Sequence, residues 1–158
     1  MSMDHLITDR TQADVNRWAE LKAKGLADMT EAEKAEWLGF LKGSYNFTDM
    51  NRVENAVVAL SERMHEMGYP HDALTTKTDW NYWSVPTLTD MIRYFGNVAA
   101  IRAAIPVYGT TPSTPTVNNR FNYSRANDLE KILVDVDEIL TNIPKATHHA
   151  GEVFSGEV

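Results

Sequence analysis

Asp49-Met50-Asn51-Arg52-Val53-Glu54-Asn55-Ala56-Val57-Val58-Ala59-Leu60 returns twice further along the chain. The second copy is Asp90-Met91-Ile92-Arg93-Tyr94-Phe95-Gly96-Asn97-Val98-Ala99-Ala100-Ile101, and the third is Asp128-Leu129-Glu130-Lys131-Ile132-Leu133-Val134-Asp135-Val136-Asp137-Glu138-Ile139. All three read Asp, Met or Leu, any residue, Arg or Lys, apolar, three free positions, Val, two free positions, Leu or Ile. Starts at 49, 90 and 128 give offsets of 41 and 38 residues, the period of a repeated supersecondary unit. In each copy the apolar positions fall at spacings of three, four and three: Met50, Val53, Val57, Leu60; Met91, Tyr94, Val98, Ile101; Leu129, Ile132, Val136, Ile139. That spacing lines one face of an α-helix, whereas a strand needs period two. The leading Asp sits in the first turn, where the exposed N–H groups favour an anion. Thr48, Thr87 and Asn127 are the candidate N-caps. The Arg or Lys three residues on is expected to pair with the Asp at the surface.

The rest of the chain fits around these helices. Thr8 or Thr11 caps a first short helix, Thr11-x-x-Asp14 being a weaker form of the capping box, and the capping box Thr30-x-x-Glu33 opens a second; they stop at Gly25 and Gly43. They predict a helical hairpin over residues 1–45, with Trp18 and Trp37 joining the packing and Met1–Ile7 a mobile arm. The repeat core follows over 46–147, with helices predicted at 48–67, 87–105 and 124–142. Gly68 and Pro70 close the first, Pro106 cuts the second, and the third ends before Pro144. Thr75–Thr78 favours a short edge strand, and Pro106–Phe121 reads as an exposed loop. Residues 148–158, with Val153 and Phe154, read as an extended tail. The fold class is therefore all-α, a helical hairpin followed by three degenerate repeats packed as a small bundle.

Composition narrows the function. The chain has 158 residues, 43% hydrophobic and 23% charged, which suits one globular domain. With no cysteine there is no thiolate chemistry and no cysteine-ligated metal. A net charge of −7 with scattered basic residues argues against nucleic-acid binding. No apolar run is long enough for a membrane helix, and Met1–Leu6 lacks the apolar core of a signal peptide.

Candidate chemistry is sparse. His148-His149 are adjacent and do not converge on one metal, and a helix end separates His65 from His71. Asp135, Asp137 and Glu138 alternate with the stripe of the third helix and read as its solvated face. Phosphate-binding glycine motifs and the nucleophile elbow are missing. The expectation is a protein that is not an enzyme, with no catalytic, metal or cofactor residues. The patch Trp80, Tyr82 and Trp83 has three readings: plugs between the helices, anchors of a protein interface, or a stacking shelf for sugars. With Val153 and Phe154 it forms the candidate interface set.

Several stretches carry a resemblance: Ile7-Thr8-Asp9-Arg10-Thr11-Gln12-Ala13-Asp14-Val15, Met29–Leu38, Leu41-Lys42-Gly43-Ser44-Tyr45-Asn46, Asp49–Val53, Lys77-Thr78-Asp79-Trp80 and Ala126–Leu133. Together they resemble small virion structural proteins of tailed bacteriophages and prophages of Gram-positive hosts, encoded among tail and baseplate components. The resemblance implies a non-enzymatic role in assembly, in the virion after synthesis in the bacterial cytoplasm. It implies other virion proteins and further copies of the same chain as partners, with neither nucleic acid nor membrane, and it brings no assigned site residues. The rival reading is a carbohydrate-binding module that recognises a host-surface glycan through Trp80, Tyr82 and Trp83.

Overall fold

A computed structural model describes the backbone of residues 3–155 and the side chains through residue 146. The chain is all-helical, with no strand among the described residues. It has five α-helices: α1 Gln12–Lys24, α2 Glu31–Leu38, α3 Phe47–Glu66, α4 Leu88–Ala103 and α5 Tyr123–Ser155, with a short 3-10 turn at Leu26–Asp28. The three quoted copies lie on α3, α4 and α5. Their stripes meet in one core, where Val53, Leu60, Val98, Ile101, Leu129, Ile132, Leu133 and Val136 are fully enclosed. Each large apolar side chain buried there stabilises the fold by roughly 1.5–3 kcal/mol, more than any cap or surface ion pair.

The core helices run in the same direction. Asp49 near the start of α3 is linked through Arg52 to Glu130 on α5, and Arg63 near its end reaches Asp137 further along α5. On α4, Arg93 meets Glu54 of α3, and Phe95 packs on Phe121 just before α5. Parallel neighbours need a return path, which residues 67–87 and 104–122 supply. Both connectors are tied down. Asn51 of α3 holds the backbone of Trp80 at both its N–H and its carbonyl, and Arg93 and Asn97 both donate to the Thr75 carbonyl. The Thr75–Thr78 segment pairs with helix side chains in this way and is not a strand. The 106–121 segment is likewise more than an exposed loop. Thr111 is buried against Asp135, and Arg102 donates to the Pro112 carbonyl.

Capping follows local chemistry closely, with two displacements. Thr11/Asp14, Thr30/Glu33 and Thr87/Asp90 close full capping boxes. On α3, Asn46 takes the cap expected of Thr48, and Asp49 reaches back to the Asn46 N–H. On α5, the Asn122 side chain accepts from the Arg125 N–H, and Asn127 is spent on the N-terminal arm. The helix end expected at Gly43 falls at Gly39, because α2 stops after Leu38. The backbone of α5 runs on through Pro144 to Ser155, where the sequence reading ends the helix at 142 and makes 148–158 extended. Proline removes one backbone donor, and the helical bonds on either side carry the chain through. Residues 156–158 lie outside the described ones.

Gly43 has a different task. A Cβ built there would lie 2.0 Å from the Asp14 carbonyl oxygen and 2.3 Å from its carbon. The strand of chain leaving the hairpin crosses the backbone of α1 at contact distance. Gly43→Ala is therefore expected to lower the unfolding free energy by about 1–3 kcal/mol through overpacking, read by urea denaturation. An unchanged midpoint would show that the crossing opens freely.

Candidate functional site

The sequence reading grouped Trp80, Tyr82 and Trp83, and the structure separates them. Trp80 is only 4% exposed and belongs to the core cluster, whereas Trp83 is 85% exposed and Tyr82 is exposed beside it. Trp80 thus plugs the gap between helices and is removed from any surface site. Tyr82 and Trp83 meet edge to face, with centroids 5.1 Å apart and planes at 90°. The side chains of Val153 and Phe154, and those of His148 and His149, lie outside the described residues.

Tyr82 borders a groove of about 420 Å³ at the end of the bundle where α3 begins. One wall is the hairpin, with Trp18, Trp37, Phe40 and Leu41. The other is formed by Tyr45, Phe47 and Met50, and the rim by Tyr82, Ser84 and Pro86. The expectation that Trp18 and Trp37 complete the core is corrected here: both are half-buried, and each turns toward the groove. The hairpin is only eight and thirteen residues of helix per arm, too little to seal them on both sides. Phe40 stands at φ 59, a left-handed conformation that a non-glycine residue rarely adopts. Its ring packs edge-on against Phe47 at 5.6 Å. A strained turn thus presents an exposed aromatic ring to an apolar groove. Beyond the rim, Trp83, Val85 and Leu88 continue the exposed apolar surface along the connector into α4.

Under the groove lies a buried ionic network that sequence reading missed. Glu130 on α5 is fully enclosed and accepts from the Ile7 N–H at 2.6 Å, from Arg10 at 2.7 Å and from Arg52 at 2.9 and 3.0 Å. Asp49 accepts from the same two arginines. Two acids and two arginines therefore balance, and Arg10, its side chain 2% exposed, also lies over the Tyr45 ring at 5.4 Å. The surface pairing expected of the repeat occurs only in the first copy, and there it is buried. In the second copy Asp90 accepts from the Thr87 N–H and Arg93 turns to Glu54. Those charges meet at 2.7 Å, off the hydrogen-bond direction, so both Glu54 oxygens stay without a hydrogen bond. In the third, Asp128 pairs with Arg125, and Lys131 with Asp135. Asp135 is enclosed and bonded to Thr111 and Lys131, so it is no part of a solvated face. Asp137 is engaged by Arg63, and Glu138 alone of the three is exposed. These arrangements neutralise charge. Among the described residues no three His, Asp or Glu side chains gather to hold a metal, and His71 is bound to Ser61 and the Asp72 carbonyl.

The signal for the network was present but ambiguous. Glu54 and Glu130 each follow directly on a stripe residue, Val53 and Leu129, at the edge of the apolar face. One residue's rotation decides between rim and interior, and the partner Arg10 sits 120 residues from Glu130.

The Tyr45 and Tyr94 hydroxyls meet at 2.5 Å between groove and network. Desolvation pushes both phenols above their ordinary value of 10, and for Tyr94 the neighbouring Tyr45 adds to it. A folded-state pKa raised above the unfolded one contributes stability that is complete below pH 10 and is lost as pH rises beyond it. Stability is thus expected to be flat near neutrality and to fall above about pH 10. Tyrosinate absorbance should rise in two phases, the second coinciding with unfolding. A single smooth titration of all six tyrosines in the folded chain would contradict this burial.

No family model, curated protein or solved structure matches the chain. What the fold and the groove define is a small all-α bundle with an apolar, aromatic-walled groove at one end.

Proposed function

We propose that this chain is a non-enzymatic structural component of a bacteriophage virion, a tail or baseplate protein or a fibre adaptor, that works by binding other proteins in several copies. The phage assignment rests on the resemblance of residues 7–15, 29–38, 41–46, 49–53, 77–80 and 126–133 to virion proteins of that kind. One structural observation carries the binding role. Phe40 and Tyr82 are exposed at a single aromatic-walled groove, and Trp83, Val85 and Leu88 are exposed in the segment that follows Tyr82. Contiguous apolar surface of this sort costs solubility and is a hallmark of surfaces that become covered. The buried carboxylates Asp49, Glu54, Glu130 and Asp135 each pair with an Arg or Lys, which suits a scaffold.

Light scattering on the purified chain, with and without tail-like particles from the same host, tests the proposal. A defined oligomer or incorporation into particles is the expected result. A monomer that ignores the particles would sink it. The glycan reading keeps one supporting observation, the exposed Trp83 ring. Yet perpendicular Tyr82 and Trp83 rings offer no common flat shelf, and stacking on a sugar uses a ring face. Binding of cell-wall glycans that is lost in Trp83→Ala would favour it over assembly.

A further inference from the structure

We propose that two copies of this chain pair through the outer face of α4, antiparallel and about a two-fold axis beside Gly96; this rests on the assembly role above and names one of its partners. α4 is apolar on both sides. Its inner stripe, with Tyr94, Val98 and Ile101, lies in the core. Its outer face carries Leu88, Ile92, Gly96, Ala99 and Ala103, with Leu88 67% and Ile92 54% exposed. A helix that is apolar all round belongs in an interior, and here one side faces solvent. The charges that would border this face are drawn off it. Asp90 is bound back to Thr87, Arg93 to Glu54 and the Thr75 carbonyl, and Arg102 to the Pro112 carbonyl. Each copy carries a formal net charge of −7, so an uncharged strip is where two copies can approach with least repulsion.

The face is complementary to itself. Leu88 and Ile92 stand out from its first half. In its second half nothing larger than a methyl group projects, and Gly96 and Ala99 line two hollows. One, of about 510 Å³, is walled by residues 72–75, and the other, of about 240 Å³, by residues 114–117. An antiparallel pair crossing beside Gly96 sets Leu88 against Ala103 of the second copy and Ile92 against its Ala99. The two-fold axis repeats both contacts. Large side chains thus enter small-residue hollows twice, at the shallow crossing of about 20° common to packed helices. Beyond the helix ends, the exposed Trp83 and Val85 of one copy approach the exposed Tyr108 of the other. Gly96 is an independent sign. It lies inside the helix, and a Cβ built there would meet nothing within 4 Å. Its own fold has room for a side chain, and alanine would hold the helix better. Glycine is needed where a second backbone comes close, and that is the crossing point.

Sedimentation of the full chain should show a dimer that tightens as sulfate is added, since the contact is apolar and the like net charges are screened. Leu88→Glu and Ala103→Lys fall at exposed ends of α4, where each new charge suits the helix dipole, so circular dichroism melts should leave both folded. Each alone is expected to weaken the dimer at least about tenfold. An equimolar mixture should recover it, because the two introduced charges then face each other. Gly96→Leu should weaken the dimer as much while leaving the melting temperature of the dilute chain unchanged or higher. A glycine required by its own fold would not give that split. The chain has no cysteine, so Leu88→Cys mixed with Ala103→Cys should yield an oxidative cross-link between copies. Leu88→Cys alone should not, because antiparallel pairing holds its two thiols about 22 Å apart. Cross-linking of Leu88→Cys with itself, or charge variants that stay dissociated when mixed, overturns the pairing. A full chain that is monomeric yet enters tail-like particles overturns it while leaving the assembly role standing. A monomer that does neither overturns both.

Discussion

Glu130→Ala is expected to destabilise the chain by about 3–5 kcal/mol, a large share of the 5–15 kcal/mol that holds a typical domain. The side chain is fully enclosed and accepts from three groups at once: the Ile7 N–H, the Arg10 guanidinium and the Arg52 guanidinium. Its removal leaves the buried Arg10 and the half-buried Arg52 sharing Asp49 alone. An uncompensated buried charge is what makes breaking such a pair costly, whatever the intact pair contributes. The loss should also have a location. Arg10 donates to the Ile7 carbonyl, and the Asn127 side chain bonds both the N–H and the carbonyl of Arg10. Release of the network should free the arm before α1, so limited proteolysis near residues 3–10 should speed up more than cleavage elsewhere. Urea unfolding gives the magnitude. A loss under about 1 kcal/mol would mean that water enters the cluster and replaces the carboxylate.

The second large effect separates two tryptophans that the sequence places three residues apart. Trp80→Ala is expected to cost about 3–5 kcal/mol, the usual range for emptying a buried large aromatic site. Trp83→Ala should change stability by no more than about 0.5 kcal/mol. Trp80 is seated in the core by the Asn51 side chain, while Trp83 leaves the surface almost completely exposed. Trp80→Phe is the informative control. The indole N–H is buried without a hydrogen-bond partner, so its loss offsets part of the lost volume. Fluorescence of the single-tryptophan variants provides an independent reading: Trp80 emission should be blue-shifted and shielded from quencher, Trp83 emission red and quenched. Equal costs for the two alanine variants would contradict the separation.

The all-α class and the location of the main helices could be read from the chain alone. The three-four-three spacing of Met50, Val53, Val57 and Leu60, and of its two counterparts, admits only a helix, because periodicity is a property of the local backbone. The caps at Thr11, Thr30 and Thr87 were legible for the same reason: each closes a box within three residues. The site was not legible in this way. Trp80, Tyr82 and Trp83 are equally apolar neighbours, and only the packing of the 67–87 connector against Asn51 decides which ring is enclosed. Asp135 looked like a solvated acid until Thr111, 24 residues earlier, was brought onto it. Likewise Arg10, Asp49, Arg52 and Glu130 become one neutral cluster only when the arm, α3 and α5 converge. Local sequence fixes which backbone hydrogen bonds form within a few residues. Burial and charge pairing depend on groups 24 to 120 residues away, so they belong to the tertiary structure.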